Sequence, residues 1–214
     1  MTDRPTTAAV VRALFLETTF GRLWYAGAVA STMRWLESLA VGVFVFDLTG
    51  SAIMVAVFLF LRWAPLVLFG AWFGVIADRI SRKSIQFVGL AAMSATSAIL
   101  GVLIIFEAAS MWHIGAGAFL SGVFTSTDYS TRRAMVGDAA GLDRVGVAMA
   151  FDTGTNNGTR MLGPALGGFL LEFMGLHGAY MLGAVFYASA AYAILRMPYY
   201  QARPAGPPPK VFAN

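Results

Sequence analysis

Six long apolar runs separated by short polar breaks set the pattern of this chain. Each is close to the roughly 20 residues that a helix needs to cross a bilayer. The first covers about 20–46 and ends in the turn Asp47-Leu48-Thr49-Gly50. The second, 51–76, runs into Gly74-Val75-Ile76-Ala77-Asp78-Arg79-Ile80-Ser81-Arg82-Lys83, a tight and highly charged turn. The third covers 84–106 and is followed by a short break holding Glu107 and Ser110. The fourth, 111–129, ends at Ser130-Thr131-Arg132-Arg133 and predicts a loop with Gly137, Asp138, Gly141 and Asp143. The fifth covers 145–171, Gly175-Leu176-His177-Gly178 turns the chain, and the sixth covers 179–195. The predicted architecture is an all-α membrane protein whose transmembrane domain of six helices occupies 20–197.

The flanks differ. Within 1–19, Val11, Leu14, Phe15 and Thr18 recur at helical spacing, so this cytoplasmic lead-in is either a short interfacial helix or an ordinary approach to the first span. The stretch 198–214 holds Pro204, Pro207, Pro208 and Pro209 and predicts a disordered cytoplasmic tail.

Composition agrees with the membrane assignment. The 214 residues are 58% hydrophobic and 12% charged, against about 25% charged in a soluble domain. Membrane β-barrels need short alternating strands and are excluded. With no cysteine, thiol catalysis and thiolate metal sites are excluded as well. A pI of about 9.7 points here to anionic lipid, not to nucleic acid.

Charge placement predicts orientation. Arg4, Arg12 and Arg22 precede the first run; Arg79, Arg82 and Lys83 follow the second; Arg132, Arg133 and Arg144 follow the fourth; Arg196, Arg203 and Lys210 follow the sixth. The other three connections hold no Lys or Arg, and their charged residues are Asp47, Glu107 and Glu172. By the positive-inside rule both termini are cytoplasmic, in a multi-pass protein of the plasma (inner) membrane.

Three basic residues, Arg34, Arg62 and Arg160, fall within the apolar runs, and Glu37, Asp128 and Asp152 lie in or near them. A charge at mid-bilayer costs at least about 2.5 kcal/mol, so such residues face a protein interior or a water-filled cavity. Arg34 and Glu37 are spaced to pair on one helix face. Asp152, Asn156 and Arg160 step by four, and Ser121, Thr125, Asp128 and Arg132 form another stripe. They line a cavity for substrate or proton, or they neutralise one another as structural ion pairs. Polar stripes on several helices favour the cavity. No enzyme constellation, cofactor motif or metal-ligand spacing is present; His113 and His177 stand far apart in sequence. Small residues at Gly70/Gly74, Gly154/Gly158 and Gly163/Gly167 suit close helix packing in lipid, and Pro164 predicts a bend in the fifth helix.

Gly74, Asp78, Arg79, Arg82 and Lys83 resemble the loop between helices two and three of the major facilitator superfamily, with Ser81 where the pattern has its second glycine. Gly163, Pro164, Gly167 and Gly168 are similar to the helix-five motif of its antiporter branches. Asp47 to Ser51, Arg62 with Pro65, and Arg132 resemble the siderophore and drug exporter branch. The resemblance covers about 20–195. It implies one half of a twelve-helix fold whose halves are parallel repeats. Two copies could rebuild that fold as a homodimer through helices two and five, with Gly70/Gly74 against the partner's Gly163/Gly167. Asp78 would then lie near the start of the partner's fifth helix, at Val145 and Gly146. The implied activity is proton-coupled export of a small amphipathic molecule by alternating access. The resemblance also implies that helices one and four line the cavity, with Glu37 or Asp128 as the protonatable group. A non-transporting accessory subunit, or the N-terminal half of a longer transporter, are the other readings.

Overall fold

The computed structural model describes residues 7–199, with the backbone alone for 7–8 and 70–79. The expectations placed on the side chains of Gly70, Gly74, Asp78 and Arg79, and on the tail from 200 onward, lie outside the described residues.

The described chain is helical throughout: α1 (Thr7–Leu16), α2 (Thr18–Thr49), α3 (Ala52–Arg79), α4 (Arg82–Ile105), α5 (Met111–Ala140) and α6 (Val145–Leu195). The turns follow from local chemistry. Gly50 closes α2 at φ 60, a left-handed conformation that glycine adopts without penalty, and returns its N–H to the Phe46 carbonyl. Ser81 caps α4, its hydroxyl accepting from the Ser84 N–H at 3.1 Å. At φ −62 Ser81 is in ordinary extended backbone, so the turn does not require the glycine of the family pattern.

Among the described residues, four helices are long and apolar enough to cross a membrane: α2, Ala52–Phe69 of α3, α4 and α6. The 51 residues of α6 would reach about 75 Å at 1.5 Å per residue, far beyond a hydrocarbon core of about 30 Å. Gly175 (φ 66, ψ −178) breaks it into two arms. The break thus falls at the predicted turn, while Pro164 sits within α6 without leaving helical geometry. Length is not what separates α5 from the other four. Its 30 residues include a polar stretch from Ser121 to Arg133.

Packing places α6 at the centre, against both α2 and α4, while α5 packs on α3 and α4. The main core joins Phe20, Leu23, Leu90, Met135, Tyr187 and Ile194 from four helices. The lead-in helix α1 docks on this core: Leu14 is buried, and the Phe15 ring meets Phe20, Trp24 and Phe151 edge-on.

Two expectations change. The helix after the fourth apolar run continues to Ala140, so Arg132, Arg133 and Asp138 are helical and not in a loop. Arg132 is also buried inside the bundle, at 2% exposure, and so does not count among the basic residues of a connection. The second change concerns Gly163 and Gly167. A Cβ on Gly163 would stand 2.6 Å from the Trp35 Cβ, and one on Gly167 would stand 3.4 Å from the Leu36 Cα. These glycines let α6 approach α2 of the same chain, and no face is left on them for a partner's Gly74. Gly154 of the same arm has open space around it.

Candidate functional site

The buried charges converge. Asp128 on α5 receives Arg34 of α2 at 3.4 Å, Gln86 of α4 at 2.5 Å and Arg132, one turn along α5, at 3.6 Å. Arg132 also pairs with Asp152 of α6. Room for its guanidinium comes from Gly27, where a Cβ would lie 2.7 Å from Nη1. This cluster ties four helices through groups that hydrocarbon would otherwise leave unsatisfied.

A second cluster surrounds Glu37. Ser97 of α4 donates to Oε1 at 2.6 Å, Tyr187 of α6 donates to Oε2 at 3.4 Å, and Arg62 of α3 stands at 3.9 Å. Arg62 also donates to the Arg34 carbonyl at 3.0 Å, joining the two clusters. A void of about 10 Å³, the size of one water, touches Glu37, Arg62, Ser97 and Tyr180. Gly183 preserves space at this carboxylate, since a Cβ there would come within 3.4 Å of Oε1.

The expected pairing of Arg34 with Glu37 on one helix face does not form. Each finds its counter-ion on another helix, Arg34 on α5 and Glu37 on α3. The stripe of Asp152, Asn156 and Arg160 also divides. Asp152 is buried in the first cluster, Asn156 bonds back to the Asp152 carbonyl at 3.2 Å, and Arg160 is exposed.

Arg160 opens onto a cleft of about 320 Å³. Trp35, Trp63, Tyr129, Asn156 and Asn157 line it with Arg160, and Arg34 forms part of its inner wall. The Arg160 guanidinium lies 5.7 Å from the Trp35 ring centroid, in cation–π range. Pockets of this size with aromatic walls and a few polar groups are typical of small-molecule sites. Arg34 therefore touches both the cleft and the buried network.

At the end of the bundle where α2 starts and α6 stops, polar straps hold the segment after α6. Thr19 donates to the Pro198 carbonyl at 2.9 Å, Lys83 to the Met197 carbonyl at 2.7 Å, and Arg22 to the Arg196 carbonyl. Arg82 pairs with Asp138 at 2.9 Å, and Tyr199 donates to the same carboxylate at 2.5 Å. Burial, and then the hydrogen bond to Asp138 and its charge, push the Tyr199 phenol up to about 12. Two residues of the charged-turn pattern, Arg82 and Lys83, thus clamp this base.

Residues 10–213 match the family described as transmembrane secretion effector, MFS_3. The chain belongs to this family of the major facilitator superfamily. Two curated relatives are transporters of the same superfamily. One is the uncharacterized MFS-type transporter YfiS of Bacillus subtilis, 24% identical over 164 residues, which are 76% of this chain and 38% of the relative. The other is the Staphyloferrin A transporter of Staphylococcus aureus, 24% identical over 155 residues, 72% of this chain and 39% of the relative. The match spans less than half the length of either relative. No solved structure matches.

Within this major facilitator chain, several residues of the network escaped sequence reasoning. Gln86 and Ser97 are polar positions in a long apolar helix, eleven residues apart and therefore on one face. That spacing is a usable signal. Tyr187 and Gly27 carry none, because an aromatic or a glycine in an apolar helix is ordinary packing material.

Proposed function

We propose that this chain is one half of an alternating-access transporter that exports a small amphipathic compound in exchange for protons. The observation carrying this is the exposed Arg160 beside Trp35, Trp63 and Tyr129, joined through Arg34 to the buried network. A charge exposed midway along a membrane-length arm calls for water or a second protein body over it. The aromatic rings suit the apolar part of a substrate, and Arg34, Arg160 and the two asparagines suit its polar part. Membership of a transporter family supports the same reading.

In this account six crossings come from α2, α3, α4, α5 and the two arms of α6, with both termini cytoplasmic in the inner membrane. Glu37 is the proton carrier. Asp128 is engaged by two arginines and a glutamine, whereas Glu37 has one more distant arginine and a small void beside it that could admit a water.

A second six-helix body completes the cleft, and we take it to be a second copy of this chain, related by two-fold symmetry. The contacts would use α3 and the first arm of α6, where Trp63, Val67, Met161, Leu162 and Leu166 are exposed and Gly154 is open. The mass of the gently solubilised complex tests this. Two protein chains of 22.8 kDa each are expected. One copy beside unrelated chains would favour an accessory subunit, and a single continuous polypeptide holding twelve helices would replace the second copy.

A further inference from the structure

The bundle end where α2 starts and α6 stops carries a second cleft, of about 630 Å³, that the transport reading leaves unused. Arg22 and Tyr25 line one wall; Ser189, Tyr192, Ala193 and Arg196 line the other. Two cations meet here and no carboxylate is part of the lining. Among the described residues, neither arginine is in an ion pair. The Arg22 guanidinium donates to the Arg196 backbone carbonyl, which fixes it against the start of the segment after α6 and leaves the Arg196 side chain out of that contact. The Arg196 guanidinium lies 5.3 Å from the Tyr192 ring centroid, and the Tyr25 and Ser189 hydroxyl oxygens are 2.8 Å apart.

The surface leading away from the cleft is apolar. Val185, Ser189, Tyr192 and Arg196 step by four, three and four, so they share one face of the second arm of α6. Val185 is 68% exposed and Tyr192 58%. An occupant that satisfies the whole face has an anionic head and an apolar body. A free phosphate has only the first.

We propose that this cleft binds the headgroup of an anionic membrane phospholipid. Arg22 and Arg196 would hold the phosphodiester, and the hydroxyls of Tyr25 and Ser189 would meet the polar headgroup. The acyl chains would lie along Tyr192 and Val185. Guanidinium groups suit phosphate because their paired N–H donors match its oxygens.

Native mass spectrometry of the protein in mild detergent tests this, with added phosphatidylglycerol, phosphatidylcholine or inorganic phosphate. Three forms are compared: wild type, R196Q, and R12Q, which removes an exposed charge on α1 that is not part of the cleft lining. R196Q leaves the Arg22 contact in place, because that contact uses the backbone carbonyl. Wild type and R12Q should retain phosphatidylglycerol in preference to phosphatidylcholine. R196Q should bind it about fivefold more weakly, the worth of one basic residue near an anionic surface. Equal binding of the two lipids would overturn the proposal. So would an equal loss with R12Q, which would mean net charge alone, or displacement of phosphatidylglycerol by equimolar inorganic phosphate, which would mean a free-anion site.

Discussion

Arg34 and Asp128 are 94 positions apart in sequence and 3.4 Å apart in the fold. Asp128 is the sole carboxylate paired with Arg34 among the described residues, whereas Arg132 has both Asp128 and Asp152. D128N should therefore strand Arg34 as an uncompensated cation in the bundle. Breaking a buried pair from one side costs about 3–5 kcal/mol. Thermal unfolding in detergent should show a clear loss for D128N and partial recovery in R34Q/D128N. An unchanged midpoint for D128N would mean that the pair contributes nothing.

Glu37 makes a different prediction. E37Q keeps the shape of the side chain and one acceptor oxygen for Ser97, while its amide N–H can donate to the Tyr187 oxygen once that hydroxyl rotates. Expression and folding should persist while the dependence of transport on the proton gradient disappears. Transport assayed in vesicles at several imposed pH gradients reads this directly. Retained proton coupling in E37Q would move the proton site elsewhere.

The glycines of α6 separate internal packing from external contact. G163A places a methyl group against Trp35, and overpacking of this kind costs about 1–3 kcal/mol. G154A meets nothing among the described residues and should not lower the unfolding midpoint of the separated chain, since alanine is the better helix former. If G154A instead lowers the amount of higher-mass complex, the open face of that arm is a contact surface. Equal effects of both variants on unfolding would contradict the packing described.

Much of this arrangement was legible in the sequence, and the rest was hidden for a definable reason. Apolar runs and turn residues such as Gly50 and Gly175 locate the helices, because a bilayer imposes length and a left-handed turn imposes glycine. The charged turn up to Lys83 and the Gly163-Pro164 motif point to the family. The pairing of charges was not legible. Whether Arg34 meets Glu37 or Asp128 depends on how α2 is rotated against α5, and helical spacing carries no information about a neighbour's rotation. Arg132 was misplaced for a related reason. The apolar run stops at Tyr129, but the helix continues because buried partners replace hydrophobicity there.

The base of the bundle gives a pH prediction. An unfolded tyrosine titrates near 10, and Tyr199 in the fold near 12. Between these values the unfolded chain loses its proton first, so the stabilisation from Tyr199 is complete below pH 10 and falls as pH rises toward 12. Unfolding midpoints from pH 9 to 12 should fall more steeply for wild type than for Y199F. Parallel curves would mean that the Tyr199–Asp138 contact adds no stability.

The cleft between Trp35 and Arg160 can be tested for water directly, since the chain has no cysteine of its own. A single cysteine replacing Asn157 in the cleft is compared with one replacing Val185, on an apolar exposed face. Both are treated with a membrane-impermeant maleimide in membranes opened from both sides. N157C should be labelled and V185C should not, and an exported substrate should protect N157C. Failure to label N157C in the folded protein would contradict an aqueous transport cleft.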